Sequence, residues 1–293
     1  MKKLMNSQGL LLVLTALMAF LASVLRRYQL GNELLNDGTL LPGSKMQVIL
    51  PILLALYAAV LIVLLRPLRK KRSWQEVFPP MPILNGIQIF CALLLFIGNI
   101  FTLVKPSDSA QQLVSAFSVV LTRIRPWMGF AAALCMAAFA GMRMSRQKPT
   151  PVLYMVVSIY LVVRLILSFQ SWNTDPSIHD YALRLLAAIC CMLGTYQLAG
   201  FCLDVGRRRM TAFWTLCATV FSAVGFVDSV FHGDTGEAFV SLGMCIFMLV
   251  SSIQVLYARG RRTRRTVSAE PTPPSDSAET AVETADDASR PPE

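Results

Sequence analysis

Charged residues are scarce in this sequence. Only 15% of the 293 residues are Asp, Glu, Lys or Arg, and 55% are hydrophobic, whereas a soluble domain usually carries about 25% charged residues. This scarcity excludes an ordinary soluble globular protein. The formal net charge of +10 is therefore interpreted first as a signal of membrane orientation, and we expect no nucleic-acid partner.

Catalytic and cofactor-binding motifs are also lacking. The sequence contains no zincin helix, Gly-x-Ser-x-Gly elbow, phosphate-binding Gly-rich loop or dinucleotide fingerprint. The seven cysteines all fall within hydrophobic runs, so no loop offers a disulfide framework or zinc-ligand spacing. We therefore expect no cofactor and favour a protein that is not an enzyme.

The sequence does contain eight long hydrophobic runs. A run of about 17 to 25 residues crosses the hydrocarbon core as a helix, because each residue rises about 1.5 Å. The first run follows Lys2 and Lys3 and has two interpretations, a cleaved signal peptide or an anchor; we favour the anchor, since no Ala-x-Ala-like site precedes Arg26. We predict an all-α, eight-span membrane bundle within residues 1–265, with spans near 9–25, 46–65, 83–104, 127–144, 152–169, 181–203, 210–231 and 238–257.

Basic residues gather after every second span, in segments 66–72, 143–148, 207–209 and 259–265, whereas most acids outside the C-terminal tail lie in or beside the other connections. The positive-inside rule then places both termini in the cytoplasm. We expect the plasma membrane of a bacterium, with the basic segments contacting anionic lipid headgroups.

Two further segments lie outside the spans. Apolar residues recur at helical spacing over 109–124, which predicts an amphipathic helix on the outer interface that Pro126 separates from the fourth span. Segment 266–293 has seven acids and one base, Arg290. Its low hydrophobicity predicts a disordered acidic cytoplasmic tail.

Small residues form a ridge along the fourth span: Gly129, Ala133, Ala137 and Gly141 recur every four residues. Helices associate in lipid through close backbone packing, which small residues permit. We predict a helix-packing surface, either within this chain or against other membrane proteins.

Polar residues within the spans are the candidates for function. At about 100° per residue, Asn85, Gln88 and Asn99 of the third span share one face. Amides in lipid require partners, so this face must contact other helices or water. It is either interhelical hydrogen bonding or the wall of a polar pathway.

Arg164 is the most informative of these residues, because its neighbours are all apolar and a guanidinium within lipid is costly unless it is paired. Arg184 and Asp228 fall at a similar predicted depth. We predict an outer charged cluster of Arg164, Arg184 and Asp228, joined by Asp180 or Asp175. The cluster either locks the helices together or forms a positive pocket for an anionic headgroup or small anion.

Both histidines lie in the outer loops. His179 and His232, with Asp175, Asp234 and Glu237, are weak candidates for metal ligands. We expect solvated loop ends and no metal site.

These features favour a non-enzymatic membrane component, a subunit or scaffold that packs against other membrane proteins. The alternative is a carrier that handles a lipid or small anion through the outer cluster. A third hypothesis is an enzyme or sensor that acts at the outer histidines.

Overall fold

The structure is a computed structural model that describes residues 2–32, 45–68, 74–78, 81–104, 116–145, 147–172 and 178–257. All regular structure in these segments is helical. The predicted tail, 266–293, lies outside them. The helices are α1 (Lys2–Asn32), α2 (Lys45–Leu64), α3 (Trp74–Val77), α4 (Pro82–Val104), α5 (Ala116–Met144), α6 (Pro151–Trp172), α7 (Ile178–Cys202), α8 (Arg208–Phe231) and α9 (Thr235–Tyr257).

Eight of these helices, all except the short α3, are long and apolar enough to cross a membrane. The prediction of eight long apolar helices is therefore confirmed, and such a set is compatible with a multi-pass membrane protein. The first is longer than predicted, since its apolar segment covers Gln8–Asn32.

The separate amphipathic helix predicted near 109–124 is wrong over the part that the structure describes. Helix α5 begins at Ala116 and passes through Pro126 to Met144 without a break. Proline removes one backbone hydrogen bond and crowds the preceding turn, but neighbouring helices support such a site within a membrane bundle. Residues 109–115 lie outside the described segments.

Six helices pack in a closed circuit. Each of α4 to α9 contacts the next in sequence, and α9 returns to α4. Helix α1 packs on the outside of this circuit against α8, and α2 packs mainly against α1. We call the end of the bundle where α1 begins and α9 ends the proximal face, and the end where α8 ends and α9 begins the distal face.

The closest approach of two backbones in the circuit joins α4 to α9. A Cβ added at Gly98 would lie 2.8 Å from the carbonyl oxygen of Gly236, and one added at Gly243 would lie 3.1 Å from the carbonyl oxygen of Cys91. Hydrogen at these positions lets the two helices touch, as is common between helices in lipid.

The predicted ridge of α5 is used only in part. Gly129 packs directly against the Asn99 side chain of α4, and Ala133 is buried. A Cβ at Gly141, by contrast, would meet nothing within 4 Å. Packing within the chain therefore uses the distal half of the ridge and leaves its proximal end open.

The α4–α9 contact gives a direct test. Gly98→Ala should lower the free energy of unfolding by about 1 to 3 kcal/mol, because the added methyl must push two backbones apart. Gly86→Ala is the matched control on the same helix, since nothing lies within 4 Å of its added Cβ. Thermal unfolding of both variants in detergent measures the difference; equal midpoints would show that the two helices are not packed this closely.

Candidate functional site

Asp228 of α8 is the centre of one charged cluster near the distal face. Its carboxylate is only 1% exposed. Arg26 of α1 donates from Nε to Oδ1 at 2.6 Å and from Nη2 to Oδ2 at 3.4 Å, and Nε of Arg184 lies 3.5 Å from Oδ2. This Asp228 cluster (Arg26, Arg184 and Asp228) ties α1 and α7 to α8.

Glu237 of α9 is the centre of a second cluster. Arg125 of α5 and Arg164 of α6 both form ion pairs with its carboxylate, and Nη2 of Arg164 also donates to Oγ of Ser241 at 3.3 Å. This Glu237 cluster (Arg125, Arg164 and Glu237) joins α5 and α6 to α9 across the circuit.

The sequence predicts one cluster of Arg164, Arg184 and Asp228, whereas the ion pairs join Arg184 to Asp228 and Arg164 to Glu237. The reason is where α9 begins. Helix α9 starts at Thr235, so Glu237 lies in its first turn rather than in a loop. Its backbone N–H donates to Oδ1 of Asp234 at 3.1 Å, a helix-capping bond, and its negative charge suits a helix N-terminus.

Of the two outer histidines, His232 is described, and it contacts the Asp228 cluster. His232 Nδ1 lies 2.8 Å from the Asp228 carbonyl oxygen and 3.4 Å from Nη2 of Arg184. The Asp228 carbonyl oxygen can only accept a hydrogen bond, so Nδ1 of His232 donates to it. The guanidinium of Arg184 therefore faces a second N–H donor. In the part of the chain that the structure describes, no three metal-ligand side chains gather. His179, Asp180 and Asp175 lie outside the described side chains, so their part in the cluster stays a prediction.

The polar face of α4 points into the bundle, and its members have partners on other helices. Asn99 is buried beside Gly129, accepts a bond of 3.3 Å from the Tyr160 hydroxyl and donates to the Leu95 carbonyl at 2.7 Å. Asn85 and Gln88 are also buried, but they belong to a different group of side chains at the proximal end of the circuit.

That proximal group surrounds Arg143, which is only 4% exposed in the last turn of α5. Its Nη1 donates to Oε1 of Gln88 at 2.9 Å and to Oε1 of Gln254 at 2.6 Å, and its Nη2 bonds the Tyr154 hydroxyl. We call Asn85, Gln88, Arg143, Tyr154 and Gln254 the Arg143 network.

The direction of every amide in the Arg143 network follows from the guanidinium. Arginine can only donate, so Gln88 and Gln254 must present their oxygens to it. The Gln254 nitrogen then donates to Oδ1 of Asn85 at 3.1 Å. Flipping any of these amides would place two donors face to face. The fixed order leaves two buried donors without acceptors, Nδ2 of Asn85 and Nε of Arg143.

Aromatic rings surround the same guanidinium. Its carbon lies 4.1 Å from the ring centre of Phe78 and 5.3 to 5.8 Å from those of Trp74, Phe139 and Tyr154. Cation–π contacts of this kind contribute about 0.5 to 2 kcal/mol each. They lower the cost of burying the cation, but the rings carry no net charge.

Among the side chains that the structure describes, which do not include that of Glu76 in α3, no carboxylate forms an ion pair with Arg143. Asp204, in the turn after α7, accepts from Nζ of Lys148 at 2.5 Å and from the Trp74 backbone N–H at 3.4 Å. These hydrogen bonds, of which that from Lys148 is the stronger influence, lower the pKa of Asp204 below its ordinary value. Arg143 thus differs from Arg26, Arg125, Arg164 and Arg184 of the two distal clusters, each of which reaches an acid.

Sequence reasoning missed Arg26, Glu237, Arg143, Tyr154 and Gln254. A signal existed only for Gln254, a lone amide in the last apolar run. Arg143 looked like part of an ordinary basic segment, and Glu237 like a loop acid, because their environment depends on where neighbouring helices end.

Comparison with known proteins adds no family or fold assignment. No protein-family model, curated protein or solved structure matches this chain. The buried clusters and the helix surfaces are therefore the basis on which its function can be inferred.

Double-mutant cycles test the distal pairings. Removing one partner of a buried ion pair costs about 3 to 5 kcal/mol, and contacting residues couple by about 0.5 to 3 kcal/mol. Arg26→Gln should therefore couple to Asp228→Asn, and Arg164→Gln to Glu237→Gln, in unfolding by a denaturing detergent. Arg164→Gln combined with Asp228→Asn is the control and should be additive within about 0.5 kcal/mol; coupling there instead would restore the single-cluster arrangement.

Proposed function

We propose that this chain is a non-enzymatic component of a membrane assembly, a subunit or scaffold. Its six-helix circuit acts as a rigid anchor, and its partners bind the lipid-facing surface. The proximal face, at which α2, α5 and α9 end shortly before basic segments of the sequence, is the cytoplasmic face under the positive-inside rule, in the plasma membrane of a bacterium.

The observation that carries this proposal is that the interior polar groups bond to one another. A carrier would expose Gln88, Asn99 or Arg164 to a hydrated pathway. Instead Gln88 bonds Gln254, Asn99 bonds Tyr160, and Arg164 pairs with Glu237. Each bond joins two helices of the circuit, which is the arrangement expected of interhelical hydrogen bonding in lipid.

Helix α2 supplies the surface for a partner. Its buried residues form one narrow stripe, Leu50, Leu54, Tyr57 and Leu61, and Tyr57 donates to Oγ1 of Thr15 on α1 at 2.8 Å. The opposite face is apolar and open; Leu56 is 61% exposed. A span held by one stripe keeps most of its surface for lipid or another membrane protein.

A carrier of small anions is the second candidate, and the charge balance favours it. In the described interior, six arginines (Arg26, Arg125, Arg143, Arg164, Arg184 and Arg208) lie with two carboxylates, Asp228 and Glu237. Excess positive charge attracts anions.

Cysteine accessibility separates the two candidates. Ser241 adjoins Arg164 and Ser251 adjoins Gln88, and both serines are buried. In a chain whose seven cysteines are replaced, Ser241→Cys and Ser251→Cys should not react with a charged methanethiosulfonate, because both positions are buried within the bundle. Thr235→Cys and Ser145→Cys, exposed at opposite faces, are the matched controls and should react.

The same controls test orientation. Thr235→Cys should be labelled on intact cells and Ser145→Cys only after the membrane is permeabilised. Labelling at either interior position would contradict the scaffold and favour the carrier.

The partner surface has its own test. A photo-cross-linking residue replacing Leu56 should give one defined protein adduct in native membranes, because that face of α2 is open. Leu134 of α5, 66% exposed, is the matched control and should give lipid adducts only. No adduct at Leu56, or the same adduct at both positions, would remove α2 as the partner surface.

A further inference from the structure

The Arg143 network holds an unbalanced set of groups at one place. Its cation has no carboxylate partner among the described side chains, which leave out that of Glu76, and two of its buried N–H donors, Nε of Arg143 and Nδ2 of Asn85, lack acceptors. Its amide oxygens, by contrast, all accept bonds. The network therefore has donors and positive charge to spare.

The location of the network favours a ligand from the proximal face. Asn85 and Tyr154 lie in the first turns of α4 and α6, and Arg143 and Gln254 lie in the last turns of α5 and α9. Four helix ends thus meet at the level where lipid headgroups and the aqueous phase begin.

We propose that the Arg143 network binds one phosphate-type oxyanion, supplied by a lipid headgroup or by free phosphate. The anion provides the negative charge that no described carboxylate supplies to Arg143. It also accepts hydrogen bonds from the two donors that lack acceptors. Water supplies acceptors but no charge, and a cation is repelled. Arginine suits phosphate because its donors match the oxyanion geometry. The inference is independent of whether the chain acts as a subunit or as a carrier.

The test uses the full chain, purified in detergent without phosphate. Thermal unfolding is followed in sodium phosphate against sodium chloride of equal ionic strength, and in micelles with phosphatidic acid against diacylglycerol. A ligand that binds only the folded chain raises the midpoint with its concentration. The midpoint should therefore rise in phosphate or in phosphatidic acid and not in their matched controls.

Two variants locate the site. Arg143→Gln should weaken binding by at least about tenfold, since a hydrogen bond to a charged group is worth more than the 1.4 kcal/mol that corresponds to a factor of ten. Gln254→Glu places a carboxylate where Gln254 accepts from Arg143 at 2.6 Å, and Asn85 can turn its amide to donate to it. This variant should be more stable than the wild type in chloride and should no longer respond to phosphate or phosphatidic acid.

Two controls separate the site from general charge loss. Arg208 is equally buried, at 4% exposure, near the same face, and it donates to the carbonyl oxygens of Val255 and Leu256. Lys148 is an exposed cation paired with Asp204. Arg208→Gln and Lys148→Gln should keep the wild-type response, even where Arg208→Gln lowers the starting midpoint.

A response to phosphatidic acid alone identifies a headgroup, and a response to both probes identifies phosphate from either source. No response of the wild-type chain to either probe overturns the proposal, as does a wild-type response retained by Gln254→Glu. If Arg143→Gln does not fold, Gln254→Glu decides alone, because it adds a partner to Arg143 and removes none from it.

Discussion

A guanidinium within a bilayer must be neutralised or reach water, and the distal half of this protein is organised by that constraint. Two carboxylates, Asp228 and Glu237, pair with arginines from α1, α5, α6 and α7. Each carboxylate lies on one of the two most central helices, α8 or α9. The mutual packing of α1 and of α5 to α9 therefore depends on two acids that lie on either side of the turn between α8 and α9.

The two ends of the circuit solve the same problem differently. At the distal end, arginine meets carboxylate directly. At the proximal end, about 25 Å away along α9 at 1.5 Å per residue, Arg143 meets amide oxygens, a phenol and aromatic rings. Neutral dipoles orient a cation well but leave its charge uncompensated. The proximal end is consequently the place where an external anion has most to contribute.

The helical architecture was predictable from the sequence because hydrophobic length alone selects spans. Sidedness followed from the distribution of basic residues and remains an expectation. A contact could be predicted only where equal depth along two spans was enough to bring the residues together, as for Arg184 with Asp228. Pairing also depends on which helices are neighbours and where each one begins. Glu237 was misjudged because α9 starts earlier than its apolar run, and Pro126 because α5 continues through it, as helices within a membrane bundle can.

The position of α1 outside the circuit has a consequence for synthesis. Arg26 emerges from the ribosome 202 residues before its partner Asp228. At about 5 to 20 residues per second, roughly 10 to 40 seconds pass before the Asp228 carboxylate follows it. During that interval Gln29 of the same helix is a partner for the Arg26 guanidinium, and the ion pair that joins α1 to α8 forms only after α8 is made. Helix α1 thus precedes the circuit in the chain but is joined to it late.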